Sequence, residues 1–481
     1  MSHFLTWAFT HSNEAIALLF TINAFLIACM IVLENKEPER SNGWLLALFA
    51  FPLVGFILYI FFGHNWHRPR NFFERLRAFQ ETNAWKRFAQ ADALNNQHRP
   101  DIERQIRHLA TSTTGLRSTE GNRVTILTNA AMKYPQLLSE IAAAKHSIDM
   151  EYFIFRYDEI GREILDLLKK KAREGLRVRF LVDGYGSFGL GRRVFADLRA
   201  AGVQAKYFAP LATLFYFFKV NYRDHRKIIV IDSSIAFTGG INIGREYLGR
   251  SPIGAWRDTS LELRGPCVEQ FQMLFEESWR RSTHLAHVES YSACPPFSDG
   301  EIVNVIPSGP DAEWFSVQRV YVDLINQAKR ELIIQTPYYI PDASIQEALM
   351  NAALRGVDVR LNLPFRPDAK IFHWAAMTYL GDLMRSGVRV FEYSKGFLHQ
   401  KVIIADRALA CIGTCNIDIR SLRLDFEVNV VLSGHASIHR LLEDAELDLS
   451  LSRELSYESY LRRPIHIRAL ESLMRLISPL L

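Results

Sequence analysis

Cysteine is scarce in this chain: five residues in 481, at Cys29, Cys267, Cys294, Cys411 and Cys415. Their odd number and scattered positions exclude a disulfide framework and suit a reducing compartment. Cys411 and Cys415 stand four apart, but no second Cys or His pair follows at ligand spacing, so no zinc site emerges. A large charge of one sign is missing too. Lys and Arg number 57 against 52 Asp and Glu, a net of +5, whereas a nucleic-acid binder concentrates far more positive charge. Residues 1–14 contain no Lys or Arg, and no A-x-A-like site follows the first apolar run. A cleaved secretory signal is therefore disfavoured. The composition, 48 % hydrophobic and 23 % charged, is that of a folded chain without a disordered tail. The length exceeds one ordinary domain and accommodates two plus an extra segment.

That extra segment is N-terminal. Two apolar runs, Ala15–Leu33 and Trp44–Phe62, flank a polar connector from Asn35 to Asn42. Each is long enough to cross about 30 Å of hydrocarbon as a helix. A buried soluble hairpin is the alternative. Trp44 and Tyr59 fall near the ends of the second run, where interfacial aromatics belong. Arg68, Arg70, Arg75 and Arg77 follow it, against Lys36 and Arg40 in the connector. This bias places the later domains in the cytoplasm. Phe72, Phe73, Leu76 and Phe79 interleave with Arg75 and Arg77, as in a surface-lying or ordinary amphipathic helix.

From about residue 121 the chain repeats itself. His225-Arg-Lys227-Ile-Ile-Val-Ile-Asp232 returns as His399-Gln-Lys401-Val-Ile-Ile-Ala-Asp406. Without a gap the copies also share Ala236/Ala410, Gly239/Gly413 and Asn242/Asn416. Upstream, Ala172-Arg-Glu-Gly175 echoes Ala353-Leu-Arg-Gly356, and Leu198 to Val203 echoes Leu383 to Val388. Copies this long imply two similar domains related by a pseudo-twofold axis, not a solenoid. Within each, short β-branched runs such as Val178–Val182 follow helical stretches such as Ile160–Glu174, which predicts an α/β sandwich. Gly175, Gly202, Gly356 and Gly387 stand where helices should end.

The repeated motif carries chemistry. In a strand, residues i and i+2 share a face, so His225 projects with Lys227 and His399 with Lys401. Small residues then lead to Asn242 and Asn416, permitting close approach to a ligand. Lysine, amide and imidazole together suit a phosphate oxyanion. One such motif alone is weak, and a solvated strand face would explain it; two complete copies are specific.

The paired H-x-K-x4-D, each followed by glycine and asparagine, resembles the signature of the phospholipase D superfamily. Asn221 to Lys227, Trp256-Arg-Asp258-Thr, Asn416-Ile-Asp-Ile-Arg-Ser421 and Phe426-Glu427-Val-Asn429 resemble its cardiolipin synthase branch. So does Phe51-Pro-Leu-Val-Gly55 in the second apolar run. There are departures. Asp224 stands where Asn is frequent, Thr414 where Ser is usual, and Ser260 where His is common.

The resemblance implies two phospholipase D-like α/β sandwich domains (121–300 and 301–481) after a transmembrane hairpin (1–66) and a juxtamembrane helical linker (67–120). It implies a catalytic set of His225, Lys227, Asp232, His399, Lys401 and Asp406. Asp232 and Asp406 would tie the strand end or its lysine. Asn242, Asn416, Gly240 and Thr414 would bind phosphate, while Asp258 and Glu427, 33 and 28 residues after their respective histidines, would orient the rings. The reaction implied is phosphatidyl transfer between two phosphatidylglycerols through a phosphohistidine, with no metal or other cofactor. His225 would be nucleophile and His399 acid/base; the symmetry of the halves leaves the reverse open. Another phospholipase D-type donor or acceptor, a nuclease and a silent membrane scaffold are the other readings. The partners implied are phospholipids in a bacterial inner membrane, not nucleic acid. Leu211 to Lys219, rich in Phe, would form a lipid entrance or a buried element.

Overall fold

The computed structural model describes residues 101–209, 221–283 and 294–477, with scattered positions between 14 and 59. Leu211 to Lys219, the Phe72–Phe79 stretch and the arginines following the second apolar run lie outside the described residues.

In the N-terminal segment, helix α1 (Pro38–Ala50) begins inside the stretch expected as connector. Proline suits its first position, where the missing amide costs no intrahelical bond. The Asn23 side-chain amide donates to the Leu48 carbonyl at 2.9 Å, so the two apolar runs touch. The rings of Trp44 and Tyr59 meet edge to face with centroids 5.4 Å apart. One straight helix would hold them about 22 Å apart. The second run is therefore bent near Phe51, and the two aromatics do not mark opposite ends of it. Among the described residues no helix is long and apolar enough to cross a membrane.

The remainder is built on one fifteen-stranded sheet and two two-stranded ones, and it falls into two halves. Its first half comprises β1 (Thr119–Thr128), β2 (Ser147–Tyr152), β3 (Arg177–Asp183), β4 (Gln204–Phe208), β5 (Lys227–Ile231), β6 (Ile235–Gly239), β7 (Ala255–Arg257) and β8 (Thr259–Arg264). The second half comprises β9 (Glu301–Ser308), β10 (Glu331–Gln335), β11 (Tyr339–Ile340), β12 (Asp358–Pro364), β13 (Arg389–Tyr393), β14 (Gly396–Leu398), β15 (Val402–Ala405), β16 (Leu409–Gly413), β17 (Ile417–Asp418), β18 (Glu427–Leu432) and β19 (Ser452–Glu454). Fifteen strands join in the order β19-β13-β12-β10-β15-β16-β18-β9-β1-β8-β6-β5-β2-β3-β4. Read outward from the β9–β1 junction, the two directions repeat each other, with β19 the one addition. That is the pseudo-twofold symmetry expected from the sequence repeat. Antiparallel pairing of Thr119 with Val303 fuses the two sheets into one.

Helices pack on the sheet because their apolar residues recur every three or four positions. In α3 (Asn129–Ala143) and α4 (Glu159–Arg173) these include Tyr134, Leu137, Ile141, Ile164 and Leu168, buried against Ile148, Met150 and Ile229 of the first half. The second half has its own core. Helix α2 (Asp101–Thr114) belongs to it, inserting Ile106 and Ala110 beside Val317 and Leu324. The four glycines follow helices that end at Arg173, Ala200, Leu354 and Ser386, with φ between +92° and +104°. Glycine is the residue that enters this left-handed region without steric cost.

Candidate active site

Each histidine precedes a central strand: His225 lies two residues before Lys227, the first of β5, and His399 lies just ahead of β15. The β5 residues from Lys227 to Ile231 are all buried, so the apolar run anchors the motif while its polar head reaches the end of the sheet. Lys227 Nζ donates to the His225 carbonyl at 2.7 Å. Lys401 repeats this with the His399 carbonyl and also lies 3.0 Å from His399 Nδ1.

Both histidines are claimed by the opposite half. The His225 amide donates to Phe426 O at 2.9 Å, and the His399 amide donates to Arg257 O at 2.8 Å. Strand β14, leading into His399, pairs in parallel with β7. Each accepting carbonyl belongs to the residue before a carboxylate. Consequently His225 Nδ1 lies 2.9 Å from both oxygens of Glu427, and His399 Nδ1 lies 2.7 Å from Asp258 Oδ2. This corrects the pairing implied by chain order. Asp258 attends His399, not His225, and Glu427 attends His225, not His399. A carboxylate at Nδ1 selects the tautomer that donates there, which leaves Nε2 with the lone pair used for attack or proton transfer.

Electrostatics keep these rings neutral. Burial, then the charges of Lys227 and Lys401, hold His225 well below the usual imidazole range. His399 is brought down to about 4 by burial and Lys401, against the pull of Asp258. Burial lowers Lys227 to about 7 and Lys401 to about 8, the carboxylates opposing it. Glu427 is pushed up to about 7 by burial, with Lys227 opposing. A neutral imidazole beside two partly charged lysines is arranged to receive an anion and attack its centre.

The remaining candidates fall into three groups. Gly240 and Thr414 serve the carboxylates. A Cβ on Gly240 would lie 2.1 Å from Asp258 Oδ1, and Thr414 Oγ1 donates to Glu427. Asn242 and Asn416 sit at the loops beyond: Asn242 Nδ2 donates to Tyr247 OH at 3.0 Å, and Asn416 Nδ2 to Ser421 Oγ at 3.3 Å. Asn416 Oδ1 is buried without a hydrogen-bond partner among the described residues. Asp232 and Asp406 stand apart from the histidines. Asp232 accepts the amides of Lys145, His146 and Ser147 at 2.7–2.8 Å, and Asp406 those of Lys329, Arg330 and Glu331 at 2.8–3.1 Å. They tie the far strand end and contact neither lysine, so the catalytic set implied by the motif loses both. Gly240→Ala is expected to swing Asp258 off His399 and lower turnover about hundredfold. A circular dichroism spectrum like the parent's, measured beside the rate, separates this from unfolding.

Asp224, in place of asparagine, is fully buried next to Glu151. Among the described residues, Asp224 Oδ2 and both Glu151 oxygens lack a donor. Burial first, then the neighbouring Glu151, raises Asp224 well above the usual carboxylate range. The shift favours the protonated carboxyl, which offers a donor as an amide does. A raised folded-state value means that stability is complete at low pH and is lost as pH rises. Asp224→Asn is therefore expected to keep activity and to flatten the fall of Tm as pH rises above about 4, the unfolded carboxyl value. Scanning calorimetry of both proteins across that range checks it.

Sequence reasoning missed Tyr247, whose hydroxyl lies 3.3 Å from His399 Nδ1. It missed the aromatic walls as well: Phe153, with its ring centroid 4.9 Å from that of His225, and Trp256, 5.2 Å from His399. A signal for Tyr247 existed. It follows Asn242 by five residues as Ser421 follows Asn416, so extending the repeat four positions would have paired them. Among the described residues no three His, Cys, Asp or Glu side chains gather as a metal site requires.

A histidine, lysine and asparagine from each of two symmetric halves, joined at one buried centre, are the arrangement of a phospholipase D-type phosphotransfer enzyme. A family model described as cardiolipin synthase, PLD-like domain, matches residues 137–279 and 321–448. A second, phospholipase D-nuclease N-terminal, matches residues 21–64. The chain is 39 % identical to the major cardiolipin synthase ClsA of Bacillus subtilis (strain 168), over 98 % of its own length and 99 % of that protein. It is also 39 % identical to a cardiolipin synthase of Geobacillus kaustophilus, over 97 % and 93 % of the two lengths. The crystal structure of a phosphatidylserine synthase from Haemophilus influenzae shares the fold, with a TM-score of 0.59 at 16 % identity, over 78 % of this chain and all of that one. The chain belongs to the cardiolipin synthase family of the phospholipase D superfamily, and it is a phosphatidyltransferase.

Proposed function

We propose that the enzyme joins two phosphatidylglycerols into cardiolipin and releases glycerol, through a phosphatidyl group held on His225. The observation that carries this reading is the pair of buried imidazoles, each bound through Nδ1 to a carboxylate of the other half. His225 Nε2 attacks phosphorus; a P–N bond forms as the bond from phosphorus to the glycerol oxygen breaks. His399 gives its proton to that oxygen. It then takes the proton from the hydroxyl of a second phosphatidylglycerol, whose oxygen attacks phosphorus and breaks the P–N bond. Lys227, Lys401, Asn242 and Asn416 hold the non-bridging oxygens.

His399 needs a proton to act as acid, yet it is held down to about 4 in the unliganded site by burial and by Lys401. An anionic phosphodiester offsets the lysine charges, so substrate binding raises His399 and loads the acid as the reaction begins. Purified protein in mixed micelles containing only phosphatidylglycerol tests the reading, with products followed by mass spectrometry. Cardiolipin and equimolar glycerol support it. Phosphatidic acid as the sole lipid product would make water the acceptor and the enzyme a phospholipase.

Residues 1–66 act as a membrane anchor in this reading and 121–300 and 301–481 as the two catalytic domains, while 101–114 of the expected linker pack into the second core as α2. The two apolar runs support the anchor, as does the match of the N-terminal family model to residues 21–64. The arginines after the second run favour a cytoplasmic site at the inner membrane. Membranes stripped with alkaline carbonate retain the full chain if this is right. Release into the wash would remove the anchor from the account.

A further inference from the structure

A cavity of about 790 Å³ opens on the His399 side of the site. Its wall is continuous with the site. Trp256 lines it, and the Trp256 ring stands 5.2 Å from His399 and 4.9 Å from Tyr247. Trp256 Nε1 is buried without a hydrogen-bond partner among the described residues. The Phe155–Ile243 bridge ties the segment carrying Arg156 to the loop carrying Asn242 and Arg245.

The charges of the cavity balance in number but are unevenly engaged. Its three arginines are Arg156, Arg162 and Arg245, and its three acids are Asp158, Glu159 and Glu246. Each acid is already engaged. Asp158 accepts the amides of Gly161 and Arg245 at 3.1 and 2.6 Å. Glu159 pairs with Arg250, and Glu246 lies 3.8 Å from Arg156. Arg162 lies 5.9 Å from the Tyr157 ring. Neither Arg162 nor Arg245 has a carboxylate within ion-pair distance among the described residues. Two guanidiniums are left to meet an anion, and the guanidinium fork matches a phosphodiester.

Beside these charges stand exposed apolar groups. Phe188, adjacent to the cavity residue Gly189, is 72 % exposed, and Leu248, in the same short turn as Arg245, is 42 % exposed. Two arginines without a carboxylate partner, flanked by exposed aromatic and aliphatic side chains, fit an amphipathic ligand whose head is anionic and whose remainder is apolar.

We propose that this cavity receives the phosphodiester head group of the acceptor phospholipid, bound by Arg162 and Arg245, so that its free hydroxyl reaches His399 past Trp256. The proposal rests on the transfer reaction given above. In that reaction the acceptor carries a second phosphate, which the two lysines at the histidines, engaged with the first, cannot also hold. The acceptor oxygen forms the new bond to phosphorus, the bond to His225 breaks, and the hydroxyl proton passes to His399.

The test compares two reactions of one full-length protein in phosphatidylglycerol micelles. One is incorporation of labelled free glycerol into phosphatidylglycerol, which regenerates the donor and needs no lipid acceptor. The other is cardiolipin formation, which does. In R162Q/R245Q, cardiolipin formation is expected to fall about ten- to hundredfold, while glycerol incorporation stays within about twofold of the parent. Retained incorporation also certifies the fold. Unchanged cardiolipin formation overturns the proposal. So does equal loss of both reactions in the double variant and in the single variants R162Q and R245Q alike. A parent protein that performs neither reaction would instead sink the transfer reading itself.

Discussion

His225→Ala is expected to lose transfer by about ten-thousandfold or more, and to form no covalent intermediate. The reasoning is geometric. His225 is buried and neutral, and Glu427 occupies its Nδ1, so Nε2 carries the lone pair aimed at phosphorus. His399→Ala is expected to be as inactive on phosphatidylglycerol, for a different reason: the departing glycerol oxygen finds no proton. A phosphodiester of 4-nitrophenol separates the two roles, because nitrophenolate leaves without a proton donor. With that substrate, His399→Ala is expected to release one nitrophenolate per enzyme in a rapid burst and then stall. His225→Ala should show no burst. Exchange of these behaviours would make His399 the nucleophile.

Glu427→Gln carries the second large effect, and it tests the crossing of the halves. Glutamine can donate to Nδ1, which moves the ring proton to Nε2 and removes the attacking lone pair. A change of this kind beside a catalytic imidazole costs about ten-thousandfold. Glu427 touches His225 and not the histidine of its own half, so Glu427→Gln is expected to slow the nitrophenolate burst itself. Asp258→Asn acts on His399. It should leave the burst close to the parent's rate and slow only the later steps. A burst slowed by Asp258→Asn and spared by Glu427→Gln would return each carboxylate to its own half.

Much of the site was legible because its signals are local. The spacing of His225 and Lys227, repeated at His399 and Lys401, follows from the two-residue period of a strand. Gly240 was read as room for a phosphate. In the structure that room is filled by the Asp258 carboxylate, a neighbour 18 residues on that no local pattern names. Asp232 and Asp406 read as part of a catalytic motif because they close its spacing. Their carboxylates cap backbone amides at the opposite end of the strand. The motif therefore combines residues of chemistry with residues that hold the strand in register. The second apolar run read as one straight helix because hydropathy records no bend.

By itself, the sequence determined the duplication, the α/β alternation, the glycine helix ends and the two sets of phosphate-seeking side chains. These depend on periodicities and on backbone preferences acting over a few residues. Tertiary structure alone decided that β1 and β9 fuse two sheets into one, and that Trp256 and Tyr247 wall the His399 side. It also decided that the carboxylates cross, over separations of 202 and 141 residues. Two halves built on the same motif offer the same local patterns, so nothing local distinguishes a carboxylate serving its own histidine from one serving the other. The choice is made by the backbone bonds of His225 to Phe426 and of His399 to Arg257, which form only when the halves meet.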